Sequence, residues 1–255
     1  MRAATELRPR VIAANWKMNH GPTAARGFMQ SFAARYTPLP DRDVLIFPPA
    51  LSLAAAIAGA GARPPVRFGV QNVYWADKGA FTGESSAPMA KDAGADFVLV
   101  GHSERRHVFG ETDAETAKKC AAVERAGLTP VLCVGETLDE RECGETETVV
   151  LRQLRAGLAE LDQRETTTSL IAYEPVWCIG TGRTATPEDA SQIHALIRGA
   201  LRELVGDRAA DVRILYGGSV TPANASSLLA APDVDGLLVG GASLEVESWL
   251  SICTA

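Results

Sequence analysis

Ser169-Leu170-Ile171-Ala172-Tyr173-Glu174-Pro175-Val176-Trp177-Cys178-Ile179-Gly180-Thr181-Gly182-Arg183-Thr184-Ala185-Thr186-Pro187-Glu188-Asp189 contains one complete strand-loop-helix unit. Ser169 to Tyr173 is a short apolar run of strand character. Glu174 therefore falls at its C-terminal end, and Pro175 holds the exit extended, because a proline disfavours helical backbone in the residue before it. Val176 and Trp177 form one bulky shoulder of the loop, Gly180 and Gly182 bracket its tip, and Thr184 and Ala185 form the other shoulder. Thr186-Pro187-Glu188-Asp189 then opens a helix, with a capping hydroxyl, a proline in the first turn and a carboxylate three residues on. One carboxylate set between a strand end and a hinged, glycine-bracketed loop is the pattern of a base beneath a lid.

The same unit recurs along the chain. Short apolar or β-branched runs lie near Val11–Ala14, Val44–Phe47, Val66–Val70, Phe97–Val100, Pro130–Val134, Leu170–Tyr173, Val212–Tyr216 and Gly236–Val239. Between them lie helix-period stretches such as Asp113–Ala126, Glu147–Leu161 and Pro187–Leu204, with apolar positions at three and four spacing. Strands alternating with helices imply βαβ units and a parallel sheet. Eight units in 255 residues fit a single α/β domain, residues 1–255, folded as a closed (β/α)8 TIM barrel with parallel strands. An open nucleotide-binding sheet is disfavoured, since no G-x-G-x-x-G follows the first run.

Composition limits the classes of function. With 46% hydrophobic and 22% charged residues the chain supports one large core. A formal net charge of -6 and a pI near 5.3 speak against nucleic-acid or anionic-membrane partners, so an anionic substrate must be held by local groups. Residues 1–10 carry Arg2, Arg8 and Arg10 without an apolar run; they read as a frayed tail, not a secretory signal. Residues 44–62 are uncharged, but Pro48-Pro49 divides them into a strand and a helix with a buried face. Cys120, Cys133, Cys143, Cys178 and Cys253 form no C-x-x-C pair, which suits reduced thiols in a cytoplasmic setting and offers no zinc site.

The chemically useful side chains follow the strand runs. Asn15 and Lys17 come after the first, Gln71 and Asn72 after the third, His102 after the fourth, Glu174 after the sixth, and glycine pairs after the seventh and eighth. In a barrel these ends meet on one rim, where such folds build their active sites. Taken singly, each feature has a plainer reading: a capping Asn15 beside a solvated Lys17, His102 structuring a polar turn, Glu174 in a rim ion pair, and Gly217-Gly218 and Gly240-Gly241 as ordinary turns. Ser103–His107 is expected to start a helix, and a histidine at its head is biased toward the neutral form. The two glycine turns allow backbone N–H groups to approach a phosphate. His20, His107 and His194 carry no such context, so surface or packing roles are expected for them.

Ala172-Tyr173-Glu174-Pro175-Val176-Trp177 with Ile179-Gly180-Thr181-Gly182 resembles the base-and-lid segment of the triosephosphate isomerase family. Asn15-Trp16-Lys17-Met18-Asn19, Gly101-His102-Ser103-Glu104-Arg105-Arg106, Cys133-Val134-Gly135-Glu136, Tyr216-Gly217-Gly218-Ser219-Val220 and Val239-Gly240-Gly241-Ala242-Ser243 extend the resemblance to every strand end. Departures are Ala14 in place of the usual Gly, Cys178 in place of a small residue, usually Ala, and Arg183 in place of the commoner Lys. The two in the lid bear on its closure rate. The resemblance implies interconversion of dihydroxyacetone phosphate and D-glyceraldehyde 3-phosphate through an enediolate, without metal or organic cofactor. It implies that Glu174 moves the proton, that neutral His102 polarises the carbonyl, and that Asn15 and Lys17 stabilise negative charge. It further implies that backbone N–H groups of Gly180, Ser219 and Gly241 hold the phosphate, with Gly240 shaping the approach, and that Glu104 pairs with Lys17. The loop Gly79-Ala80-Phe81-Thr82-Gly83-Glu84 matches a family segment that reaches into a neighbouring subunit, which implies a homodimer. Another phosphosugar barrel, or a silent barrel used as a scaffold, remains open at this level. A Schiff-base aldolase would need a lysine inside a strand run, and none of the runs contains one.

Overall fold

The computed structural model describes residues 9–179 and 184–255. Eight parallel strands close into a barrel in sequence order: β1 (Arg10–Asn15), β2 (Arg42–Phe47), β3 (Arg67–Val70), β4 (Phe97–Val100), β5 (Thr129–Val134), β6 (Leu170–Tyr173), β7 (Arg213–Tyr216) and β8 (Gly236–Val239). β1 pairs with β8, with Val11 opposite Gly236, and this closes the ring. The helices are α1 (Pro22–Ala33), α2 (Leu53–Ala60), α3 (Ala87–Asp92), α4 (Ser103–Phe109), α5 (Asp113–Arg125), α6 (Leu138–Glu142), α7 (Thr146–Leu158), α8 (Gln163–Thr168), α9 (Pro187–Val205), α10 (Ala225–Ala230) and α11 (Val246–Cys253). No helix among the described residues is long and apolar enough to cross a membrane.

Because side chains alternate across a strand, the barrel has two cores. Val11, Ala13, Leu45, Phe47, Phe97, Leu99, Val131, Cys133, Leu170, Ala172, Leu215 and Leu238 fill the interior. The alternate residues, such as Ile12, Ala14, Ile46, Val98, Leu132 and Ile171, face the helices together with Phe32, Leu154, Ile197 and Trp249. Interior packing is tight enough to dictate composition: a Cβ on Gly69 would lie 2.3 Å from the Phe47 ring. The rim follows from the same period of two. One step beyond Ala13, Ala172, Leu215 and Leu238 come Asn15, Glu174, Gly217 and Gly240, so the first polar or empty positions above the apolar plug are the proposed site positions.

Local signals set most boundaries. Thr186 and Asp189 form a reciprocal capping box with Pro187 in the first turn of α9, and Thr112 and Glu115 do the same for α5. Two expectations from the sequence need correction. Arg10 already belongs to β1, its N–H donating to Asp41 O at 2.8 Å, so the strand begins inside the stretch read as a tail; Met1 to Arg8 lie outside the described residues. The single helix expected over Glu147–Leu161 stops at Leu158, because Asp162 and Glu165 form a new capping box and start α8.

Candidate active site

Asn15, at the end of β1, is buried, and its Oδ1 accepts the backbone N–H of Lys17 at 2.9 Å. That bond helps hold Lys17 in the left-handed region at φ 51°, a conformation a non-glycine residue keeps only when its surroundings impose it. Gln71, just past β3, adds to the constraint by donating its amide to the carbonyls of Lys17 and Phe47, both at 2.9 Å. The Lys17 ammonium is thereby delivered over the barrel mouth, where it meets Glu104 Oε1 at 2.6 Å. The pairing of Glu104 with Lys17 is thus present in the geometry.

His102 caps α4 and is 5% exposed. Its Nδ1 accepts the N–H of Glu104 at 3.2 Å, while its Nε2 lies 2.9 Å from Glu174 Oε1. Burial opposes a charged imidazole, whereas the Glu174 charge and hydrogen bond, with the Glu104 charge, favour one and together raise the ring above its ordinary value. The bond at Nδ1 decides the state in this arrangement. A ring nitrogen that accepts an N–H cannot carry a proton, so His102 is neutral with its single hydrogen on Nε2.

Glu174 is 2% exposed, and its other oxygen accepts the N–H of Ser103 at 2.9 Å. Burial pushes its carboxyl up, whereas the hydrogen bonds it accepts from His102 Nε2–H and Ser103 N–H, with the Lys17 charge, pull it below the ordinary carboxylate value. The group is therefore ionised and ready to accept a proton. Across the cleft, Gly217 keeps space beside it: a Cβ there would lie 2.9 Å from Glu174 Cγ. A Cβ on Gly218 would lie 2.1 Å from the Tyr216 hydroxyl. Asn15, Lys17, His102, Glu104, Glu174, Ser219, Gly240 and Gly241 line one cleft of ≈ 550 Å³. Gly180, the remaining expected phosphate contact, lies outside the described residues, as do Gly182 and Arg183 of the lid.

Several supporting residues escape the sequence reading. Glu136, fully buried, accepts from the Tyr173 hydroxyl at 3.1 Å and the Trp177 indole at 2.9 Å, and meets Arg141 at 3.2 Å. Arg141 in turn reaches Asp189 at 3.1 Å and stacks 4.5 Å above the Trp177 ring, so the first shoulder of the lid is tied to α6 and α9. A lone acid directly after the fifth strand was the available signal. Behind His102, buried Glu111 accepts from Gly101 N–H at 3.0 Å and pairs with Lys119 at 2.9 Å and Arg105 at 2.7 Å. Burial pushes Glu111 up, and those two cations bring it below its ordinary value. Ser103 is visible in sequence only as a helix-starting residue, yet its backbone N–H holds the Glu174 carboxylate.

Fold and rim together define a (β/α)8-barrel enzyme with its reactive groups gathered at the C-terminal ends of the strands. Residues 10–255 match the family described as Triosephosphate isomerase. The triosephosphate isomerase of Solibacter usitatus is 48% identical over 247 residues, covering 96% of this chain and 99% of that protein. That of Moorella thermoacetica is 47% identical over 246 residues, covering 96% and 98%. The crystal structure of triosephosphate isomerase from Bartonella henselae superposes with a TM-score of 0.86 at 41% identity, covering 96% of this chain and 97% of that one. The chain belongs to the triosephosphate isomerase family.

Proposed function

We propose that this chain interconverts dihydroxyacetone phosphate and D-glyceraldehyde 3-phosphate in glycolysis and gluconeogenesis, with Glu174 as the base that carries a proton between adjacent carbons. The observation that carries the assignment is the buried, ionised Glu174 carboxylate held against neutral His102 on the wall of a cleft whose opposite wall is glycine backbone. Both carboxylate oxygens are engaged here, so the base leaves His102 Nε2 and Ser103 N–H when it turns toward substrate; the missing side chain at Gly217 gives it room. His102 Nε2–H is then free to donate to the substrate oxygens, first one and then the other, as the enediolate forms and collapses. Lys17 and the Asn15 amide stabilise the negative charge that develops there, and Glu104 holds the ammonium in place.

The phosphate end lies against the turns after β7 and β8, where the N–H groups of Ser219 and Gly241 carry it and Gly240 keeps the approach open; Gly180 completes the grip from the lid. Closure of the lid excludes water and so suppresses loss of phosphate from the enediolate. The test is a coupled assay on wild type and Glu174→Asp, whose carboxylate is retracted by about 1 Å. The expected result is a roughly 10²-fold lower kcat in the variant with an unchanged fold. Near-normal turnover would remove Glu174 from the role.

The residues support a homodimer and a cytoplasmic setting. Met18 is 95% exposed, and Leu51 and Phe81, Met89 on α3, and Val108 and Phe109 on α4 are further exposed apolar groups, a surface that a second copy would cover. The five cysteines are free thiols, as reducing surroundings would keep them. Sedimentation velocity at micromolar protein should return a dimer; a monomer with full activity would overturn that part.

A further inference from the structure

Lys17 and His20, only three residues apart in the loop after β1, are both non-glycine residues in the left-handed region, at φ 51° and 58°. Lys17 is accounted for by the reaction. His20 is not, yet its surroundings hold it at several points. The Ser52 hydroxyl donates to its carbonyl at 2.7 Å, its ring meets Trp16 edge-on with centroids 4.8 Å apart, and Phe28 packs against it at 5.4 Å. The ring nitrogen Nε2 lies 3.1 Å from the carbonyl of Leu244, 224 residues further along the chain. Since a carbonyl only accepts, that nitrogen carries the hydrogen.

Leu244 ends the short 3-10 turn Gly241–Ser243 that follows β8. Four carbonyls of this segment are occupied. Gly240 O accepts from Ser243 N–H at 2.9 Å, Gly241 O from Leu244 N–H at 3.1 Å, Ala242 O from the Ser248 hydroxyl at 2.7 Å, and Leu244 O from His20. The opposite side of the turn, with Gly240, Gly241 and Ala242, lines the cleft. The loop after β1 comes close to this turn at a second point, where a Cβ on Gly240 would lie 3.4 Å from Lys17 Cε. His20 is therefore a strut between the segment that delivers the Lys17 ammonium and the segment that delivers N–H groups to the phosphate.

We propose that His20 is a positioning residue for phosphate binding, fixing the turn Gly240–Leu244 relative to Lys17 through its Nε2–H bond to Leu244. The proposal rests on the reading of the cleft as a triose phosphate site. It acts on ground-state binding of the phosphate, which substrate and transition state share, so it predicts a change in KM with kcat little altered.

His20→Asn and His20→Gly both suit left-handed backbone but cannot reach Leu244, whereas His20→Gln places an amide N–H near the position of Nε2. The three variants and wild type are compared by steady-state kinetics with glyceraldehyde 3-phosphate, by the inhibition constant of inorganic phosphate, and by thermal melting. The expected result is KM and the phosphate inhibition constant both raised about five- to tenfold in His20→Asn and His20→Gly, the loss of one hydrogen bond, and largely restored in His20→Gln. Unchanged constants in His20→Asn and His20→Gly, with wild type active, would overturn the positioning role alone. A fall in kcat that tracks a lower melting temperature and is not restored by Gln would overturn it in favour of plain packing. A wild type that turns over no triose phosphate would remove the reading of the cleft and the positioning role together.

Discussion

The rim of the barrel is made in two ways. Over the arc formed by β1, β4 and β6 it works through side chains, and each is fixed by named partners: Asn15 on Lys17, Lys17 on Glu104, His102 between Glu104 and Glu174, Glu174 on Ser103. Over the arc formed by β7 and β8 it works through backbone, and what matters is the side chain that is missing, as at Gly217, Gly218 and Gly240. The difference teaches where each arc is vulnerable. One fails when an atom is removed, the other when an atom is added.

Removal of charge from the proposed base is the severest test of the side-chain arc. Glu174→Gln keeps the volume and still accepts from Ser103 N–H, but it cannot take a proton, so kcat should fall on the order of 10⁴-fold with the melting curve nearly unchanged. Stopped assays with high enzyme and long incubation measure it. A loss of less than tenfold would mean that another group abstracts the proton and that the two arcs differ only in packing.

Two buried histidines sharpen the contrast between a partnered group and an unpartnered one. His102 has a partner at each ring nitrogen, whereas His194 on α9 has Asp233 O at 3.0 Å from Nδ1 and, among the described residues, no hydrogen-bond partner for Nε2. Burial pushes its pKa down to about 4, with the carbonyl of Asp233 pulling weakly the other way. The unfolded chain takes up this proton near pH 6.5 and the folded one only near 4, so the unfolded state binds more protons between them. Stability contributed by neutral His194 is therefore complete above about pH 6.5 and is lost as pH falls toward 4, by about 3 kcal/mol in all. His194→Asn, which keeps a donor for Asp233, should flatten the urea midpoint between those pH values. Parallel pH curves for the two proteins would show that His194 is not the acid-sensitive group.

On the backbone arc the corresponding test adds one methyl. Gly217→Ala would place a Cβ 2.9 Å from Glu174 Cγ and 3.2 Å from Tyr173 O, in a position whose backbone alanine tolerates. The carboxylate would lose the space into which it turns, and kcat should fall roughly 10- to 10²-fold, as expected when a reacting group is misplaced by about an ångström. Steady-state kinetics with an intact melting transition checks it. A variant with wild-type kcat would show that Glu174 reaches substrate without passing Gly217.

The barrel was legible in the sequence because its signals are local and repeated: eight apolar runs, a capped helix start at Thr186, and chemistry placed after the strands. Glu174, His102, Lys17 and Asn15 stood out as candidates because unlike side chains at three separate strand ends have no shared packing explanation. What the sequence did not show was the support. Glu136 lies 37 residues from Tyr173 and 41 from Trp177, Gln71 lies 54 from Lys17, and His20 lies 224 from Leu244. Each is a single polar residue whose partner is chosen by barrel closure, and no period or motif links the two. Cys178 belongs here too. Its place in the lid bears on closure, but the sequence does not show that it is fully buried, with burial pushing its thiol up to about 11, so among the described cysteines exposed Cys143 is the one open to reagents.

The smallest expected effect falls on the link between Lys17 and Glu104, where the side-chain arc comes closest to solvent. The pair meets at 2.6 Å, but the Glu104 side chain is 44% exposed, so its worth to stability is that of a surface ion pair, under about 1 kcal/mol. Glu104→Gln keeps an oxygen that can accept from the ammonium and keeps the backbone N–H that fixes His102 Nδ1. Only the charge is removed. Lys17 is also held from behind by Asn15 and Gln71, which the substitution leaves in place. We therefore expect kcat/KM to fall by a factor of about 3 to 10, with the melting temperature unchanged, a loss that reports the ammonium's freedom to wander rather than its absence. Lys17→Met measured alongside sets the scale. If Glu104→Gln is as damaging as Lys17→Met, the carboxylate does more than restrain the lysine, and charge at position 104 must act on His102 directly. If it is silent, the backbone bonds from Asn15 and Gln71 alone place the ammonium, and the side-chain arc is, at this one point, as dependent on backbone as the glycine arc facing it.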